Sequence, residues 1–308
     1  MDGDPQDDYF VRVSSLRPEP IEPPPTTPAP ARGPSVGSVL AVILGAVVGA
    51  VAVVAWAVGG TDAPVAGPPP DGTAGGAVVE SDVSTSRETR DPAVDGYGVW
   101  ARNEDGTPVR WNPCEPIEWV FNPASAPPGV RVDLDRAFGE IAAATGLRFR
   151  FAGETDELPE RERSPYQPER YGDDGWAPIL VAWTAPGDTD VPLTSTDRGV
   201  SVPVAVGDGT VDTFVSGQVV FNPQRPLQAG FDDRRTSWGA TILHELGHTV
   251  GLDHVDDPSQ LMYTFPGQGP VRLGVGDRRG LAELGSGGCL DVPDPVDVDV
   301  TYVDDFGR

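Results

Sequence analysis

The sequence predicts an α/β domain built on a mostly parallel sheet, and three observations predict it. Strand-like and helix-like segments alternate from about residue 96 onward. One of them, "APILVAW" (177–183), is a continuous apolar run of the kind buried on both faces of a sheet. Helical segments also occur at two well-separated places, 132–146 and 237–251.

Taken in order, "IEWVFN" (117–122) alternates as a strand does. "VDLDRAFGEIAAATG" (132–146) places Leu134, Phe138, Ile141 and Thr145 on one helical face, with Asp133 as N-cap and Gly146 as stop. "LRFRFAG" (147–153) alternates again, and 177–183 supplies the buried strand. "VSVPVAV" (200–206) and "GQVVFN" (217–222) follow as further strands, then the helix "SWGATILHELGHTVG" (237–251). "GDRRGLAELG" (276–285) closes the domain as a short helix with Leu281 and Leu284 facing inward.

Before this domain the texture differs. Residues 1–34 are rich in proline and acid and poor in large apolar residues, which predicts disorder. Residues 36–58 carry no charge and are long enough to cross a bilayer as one helix, so 35–59 is expected to be a transmembrane segment. A secretory signal peptide is the alternative, with "AWA" (55–57) as cleavage site, but the run is long and its leader is long and acidic. Arg17 and Arg32 precede it and no basic residue follows until Arg87, which places the N-terminus in the cytoplasm and the bulk of the chain outside. Gly45 and Gly49 form a GxxxG, weak grounds for helix pairing, and the oligomeric state stays open. Residues 60–95 read as a flexible stalk, 96–290 as the folded domain and 291–308 as a solvated acidic tail. Calcium binding in that tail is unsupported, because its acids lack loop-type ligand spacing.

The formal net charge is −25, and all 22 basic residues are arginine. Nucleic acid and anionic membrane surfaces carry the same sign and are poor partners. Cys114 and Cys289 are the only cysteines and do not form a redox motif. Outside the cytosol a single bridge between them is the natural reading, and the alternative is Cys114 as a latch on a metal.

All three histidines of the chain lie in "HELGHTVGLDH" (244–254). On a helix, His244 and His248 share a face one turn apart and can hold one ion. Gly251 permits the turn that ends the helix, and His254 arrives three residues later as a third nitrogen. Three neutral imidazoles with one open position describe a catalytic zinc rather than a structural one. Glu245, beside the first ligand, is placed to act as general base on a zinc-bound water during peptide hydrolysis.

HExxHxxGxxH followed by a methionine turn resembles the metzincins, and "SQLMYT" (259–264) supplies that turn through Met262. Within that group the chain is similar to the matrixins over about 110–286. The resemblance implies a metzincin-like catalytic domain holding one catalytic Zn2+, a peptide or protein substrate, and Met262 as an apolar floor beneath the imidazoles. It also implies a substrate pocket walled around Tyr263 to Phe265, and an edge strand somewhere in 199–222 that pairs with extended substrate. Val255 stands where matrixins usually have serine, and the chain has no histidine to spare for a second zinc. The expected protein is thus a membrane-anchored zinc endopeptidase acting outside the cytoplasmic membrane. The alternatives are a non-catalytic zinc-containing wall-binding module and a zinc hydrolase of non-protein amides.

Overall fold

The computed structural model describes residues 11–14, 96–207, 211–265 and 268–297. The described residues all fall in the unit made of Met1–Pro20 and Arg87–Arg308; Ile21–Ser86, with the expected span at 36–58, lies outside the described residues. No helix among the described residues is long and apolar enough to cross a membrane.

The strands are β1 (Val11–Ser14), β2 (Gly98–Val99), β3 (Arg110–Trp111), β4 (Ile117–Phe121), β5 (Phe149–Glu154), β6 (Ile179–Trp183), β7 (Gly199–Gly207), β8 (Asp212–Phe221) and β9 (Leu252–Asp253). The helices are α1 (Val130–Thr145), α2 (Pro168–Tyr171), α3 (Trp238–Thr249) and α4 (Val275–Leu284), followed by a 3₁₀ turn at Pro295–Asp297. The main sheet runs β1-β7-β8-β6-β4-β5, with β3 also on β8. Every neighbour in it is parallel except β7 against β8. β2 and β9 make a separate antiparallel pair.

Period-two alternation explains why β6 is apolar throughout. Ile179, Val181 and Trp183 belong to the large core shared with α1, α3 and α4, whereas Leu180 and Ala182 pack with Val120 and Tyr171 in a second cluster. Both faces of the strand are covered, so neither tolerates polar side chains. The α1 face is as expected, with Leu134, Phe138, Ile141 and Thr145 all buried and Phe138 stacked on Trp119 at 4.2 Å. Gly146 ends α1 at φ 78°.

Four expectations are corrected. Asp133 is not the N-cap: α1 begins two residues before the reading from Val132, at a cap on Gly129. Asp133 sits inside the helix, buried, and accepts the Gly230 N–H at 2.7 Å. β8 starts at Asp212 rather than Gly217, because its antiparallel pairing with β7 extends it. Residues 11–14 form β1 on β7 although 1–34 reads as disordered; the composition of the whole segment masked the local alternation of Val11 and Val13. Residues 291–297 are not a solvated tail, since Val292 packs against Val204, Val206 and Val215, and Trp176 Nε1 donates to the Pro293 carbonyl at 3.1 Å. Residues 298–308 lie outside the described residues.

The sheet face opposite α3 carries a polar core that the sequence did not announce. Arg163, 4% exposed, binds Glu157 with two nitrogens at 2.8 and 3.0 Å. It also donates to the Gly217 and Pro178 carbonyls and to Ser216 Oγ. Burial alone would raise the Glu157 pKa; the Arg163 bonds and charge, with donors from Tyr171 and Gln167, outweigh it and hold the carboxyl below its ordinary value. The same burial and the bond to Glu157 push the Tyr171 phenol up to about 12. Cys114 and Cys289 form the disulfide, at a Cα–Cα distance of 5.3 Å, joining the start of the domain to its end. With both sulfurs bonded, neither supplies a thiolate to latch a metal.

Candidate metal centre

α3 carries the first two imidazoles. Every residue from Trp238 to Thr249 is buried, because the helix lies between the sheet and the loops that follow it. Ser201 on β7 bonds Thr249 across that contact at 2.8 Å, and the Trp111 indole donates to the Thr249 carbonyl at 2.9 Å. The chain then reverses at Gly251, φ 111°, where an added Cβ would meet Leu284 and Phe214 at 3.0 and 3.1 Å. This turn delivers β9 and then His254.

The three Nε2 atoms form a triangle with sides of 3.1, 3.2 and 3.3 Å. Proton accounting tests whether that triangle fits a cation. His244 Nδ1 lies 2.9 Å from the Leu261 carbonyl and His248 Nδ1 2.8 Å from the Leu252 carbonyl. A carbonyl only accepts, so each ring spends its proton on Nδ1 and turns the Nε2 lone pair inward. Lone pairs converging at this spacing repel unless a cation sits among them. Zn–N bonds of about 2.0–2.1 Å in tetrahedral geometry require nitrogens about 3.3–3.4 Å apart, close to the sides found here. Among the described residues this triad is the one cluster of three or more His, Cys, Asp or Glu able to hold an ion.

Burial holds the His244 pKa well below 6.5, and the Arg234 charge and the two other imidazoles lower it further, which keeps the ring neutral at pH 7. The Trp100 ring stacks on His248 at 5.2 Å and 24°. β2 sets it there, by pairing with β9 and by a bond from the Trp100 N–H to the Gly251 carbonyl at 3.0 Å. Glu245, 3% exposed, lies under the start of β7, where a Cβ on Gly199 would come within 3.0 Å of its Cγ.

Met262 is 1% exposed, and its Sδ would lie 2.8 Å from a Cβ on Gly247. The glycine between the two helical histidines therefore makes room for the methionine. The turn itself is held from α4: the buried Asp277 carboxylate accepts the N–H groups of Leu261 at 2.6 Å, Met262 at 3.3 Å and Gly274 at 2.7 Å. Burial raises the Asp277 pKa against the lowering effect of those bonds. Gln260 Oε1 adds a bond to the Gly276 N–H at 2.7 Å.

The sequence-expected residues thus divide. His244, His248 and His254 come together, with Glu245 next to the first of them on α3 and Met262 against the helix at Gly247. Tyr263, expected in the wall of a substrate pocket, is half-buried, and its ring lies 5.3 Å from that of Phe265, which is 51% exposed. Both leave the turn on its solvent side. Arg234, Asp277, Gly247 and Trp100 were missed. Asp277 and Arg234 are charged residues that the fold buries, and no local pattern marks such burial. Gly247 was inside the quoted motif, and its position between two ligands was the available signal.

The buried helix, the imidazole triangle and the methionine turn together make a three-histidine arrangement able to hold one metal ion, with a carboxylate beside its first histidine. The matrixin family model matches residues 188–285 of this chain. A protein of Spodoptera frugiperda ascovirus 1a, provisionally described as a matrix metalloproteinase, is 40% identical over 58 residues, 17% of this chain and 15% of that protein. The crystal structure of archaemetzincin from Methanopyrus kandleri aligns at 16% identity and a TM-score of 0.34, covering 54% of this chain and 93% of that one.

Proposed function

We propose that this protein is a zinc-dependent endopeptidase in which His244, His248 and His254 hold one catalytic ion and Glu245 is the general base. The observation that carries the reading is the triangle of inward Nε2 lone pairs with both helical rings fixed through Nδ1. Zinc, when bound, supplies a Lewis acid that polarises a carbonyl and activates water. Glu245 takes the proton of the attacking water on a carboxylate oxygen and returns it to the nitrogen of the leaving amine. Met262 keeps the far side of the imidazoles apolar and closed. β7, antiparallel in an otherwise parallel ladder, is the strand beside which we place the extended peptide; β1 covers only Val204–Gly207, and Gly199 lies next to Glu245. Tyr263 and Phe265 wall the side that receives the residue after the cut bond.

We place the domain outside the cytoplasmic membrane, held by the apolar segment 36–58. The Cys114–Cys289 bond favours such an oxidising compartment. A chain anchored this way keeps residues 11–14 on the other side of the bilayer, so β1 leaves β7 in the anchored form. Digestion of a peptide library, with and without chelator, tests the activity. Cleavage that chelator stops and zinc restores is expected, and cleavage indifferent to chelator would sink the reading.

A further inference from the structure

A second buried charge reaches the metal centre from outside the ligand motif. Arg234 lies in the loop between β8 and α3 and is 7% exposed. Its Nη2 is 3.0 Å from the Leu261 carbonyl and 3.1 Å from His244 Nδ1, and its Nη1 is 3.4 Å from the Ala240 carbonyl. A guanidinium only donates, and His244 Nδ1 spends its proton on the same Leu261 oxygen at 2.9 Å. One carbonyl therefore receives two donors, and the contact between the two nitrogens follows from their shared acceptor. The Leu261–Met262 segment is gripped on its other side by Asp277, which binds both of its N–H groups. The segment hangs between a buried cation on the loop before α3 and a buried anion on α4.

We propose that Arg234 is a positioning residue for the metal centre, fixing the Leu261 carbonyl so that it orients the His244 ring and seats Met262 below it. The inference rests on the zinc reading above. Without the guanidinium, the Leu261 carbonyl keeps only the bond to the ring it orients, and the acceptor that sets the His244 ring plane can move. Partners of this kind, one step behind a metal ligand, govern how well the ligand is oriented.

The test uses the full chain, with zinc affinity measured by chelator competition and the visible spectrum recorded after loading with cobalt(II). Arg234→Met is expected to weaken zinc binding by about 10–100-fold and to alter the cobalt bands. Arg234→Lys keeps the charge and one donor, and is expected to recover part of both. An Arg234→Met chain that folds, binds zinc as tightly as wild type and gives the same cobalt spectrum overturns the proposal. Should Arg234→Met fail to fold, Arg234→Lys decides alone: weaker zinc binding with shifted cobalt bands supports the clamp, and unchanged values overturn it. A wild-type chain that binds neither metal would overturn the zinc reading and this inference together, a result distinct from a binding wild type with indifferent variants.

Discussion

Arg163 and Arg234 are buried to nearly the same depth, at 4% and 7% exposure, yet the fold pairs them differently. Arg163 meets a carboxylate with two parallel bonds and fills its remaining donors with two carbonyls and a hydroxyl. Arg234 binds main-chain carbonyls and lies against an imidazole, while Glu245 and Asp277 act on it only through space. Burial draws its pKa down to about 10, which leaves it charged at neutral pH. The first arrangement is a closed ion pair whose job ends with holding the 155–178 segment against the sheet. The second keeps a charge beside the histidine cluster, where carbonyl dipoles hold it without cancelling it. A buried cation paired with a carboxylate thus marks structure here, and one held by carbonyls marks the site.

The two regions should therefore fail separately. The largest effect is expected in activity. Glu245→Ala should lower peptide cleavage by roughly 10²–10⁴-fold, while zinc content and the urea midpoint stay at wild-type values. Cleavage at the wild-type rate would remove Glu245 from its assigned role. Glu157→Gln should do the converse. It leaves Arg163 charged and buried without its partner, at a cost of about 3–5 kcal/mol, read from urea denaturation, with the zinc stoichiometry of the folded protein unchanged. Loss of zinc at full stability would show that the two faces are coupled after all.

Reducing the Cys114–Cys289 bond, or replacing both residues by serine, should cost about 2–5 kcal/mol. The bridge closes a loop with a sequence separation of 175 and so restrains the unfolded chain strongly. Equal urea midpoints with and without reductant would contradict this. Gly247→Ala pushes a methyl group to 2.8 Å from Met262 Sδ. Overpacking of about 1–3 kcal/mol should follow, and it should fall on the metal centre, as weaker zinc binding than in Glu157→Gln.

The smallest expected effect is in pH dependence. The Glu157 pKa is depressed in the folded state, so its stabilisation is present above its unfolded value of 4.5 and fades as pH falls through the folded value. Asp277 works in the opposite sense, because its raised pKa makes ionisation costly as pH rises through the folded value. Asp277 is the same in wild type and Glu157→Gln, so the gap between their urea midpoints isolates Glu157. That gap should narrow below pH 4.5, and a constant gap would mean that Glu157 is not the titrating group.

The sequence by itself determined the periodic elements and the cluster of histidines. Leu134, Phe138 and Ile141 repeat at helical spacing, so α1 could be read directly, and the strands at 117–122, 177–183 and 200–206 carried their alternation or apolar runs in plain order. His244, His248, Gly251 and His254 are local, because a helix face and a glycine reversal are properties of ten consecutive residues. The tertiary structure decided what has no local period. β2, β3 and β9 are two residues each, too short to repeat anything, and exist because a distant strand pairs with them. Asp277, Arg234 and Glu157 look like ordinary surface charges in sequence, and only the packing of α4, the pre-helix loop and the 155–178 segment removes them from water. The residues proposed to bind the ion lie in one short motif, whereas what holds them still comes from charges that the fold buries far along the chain.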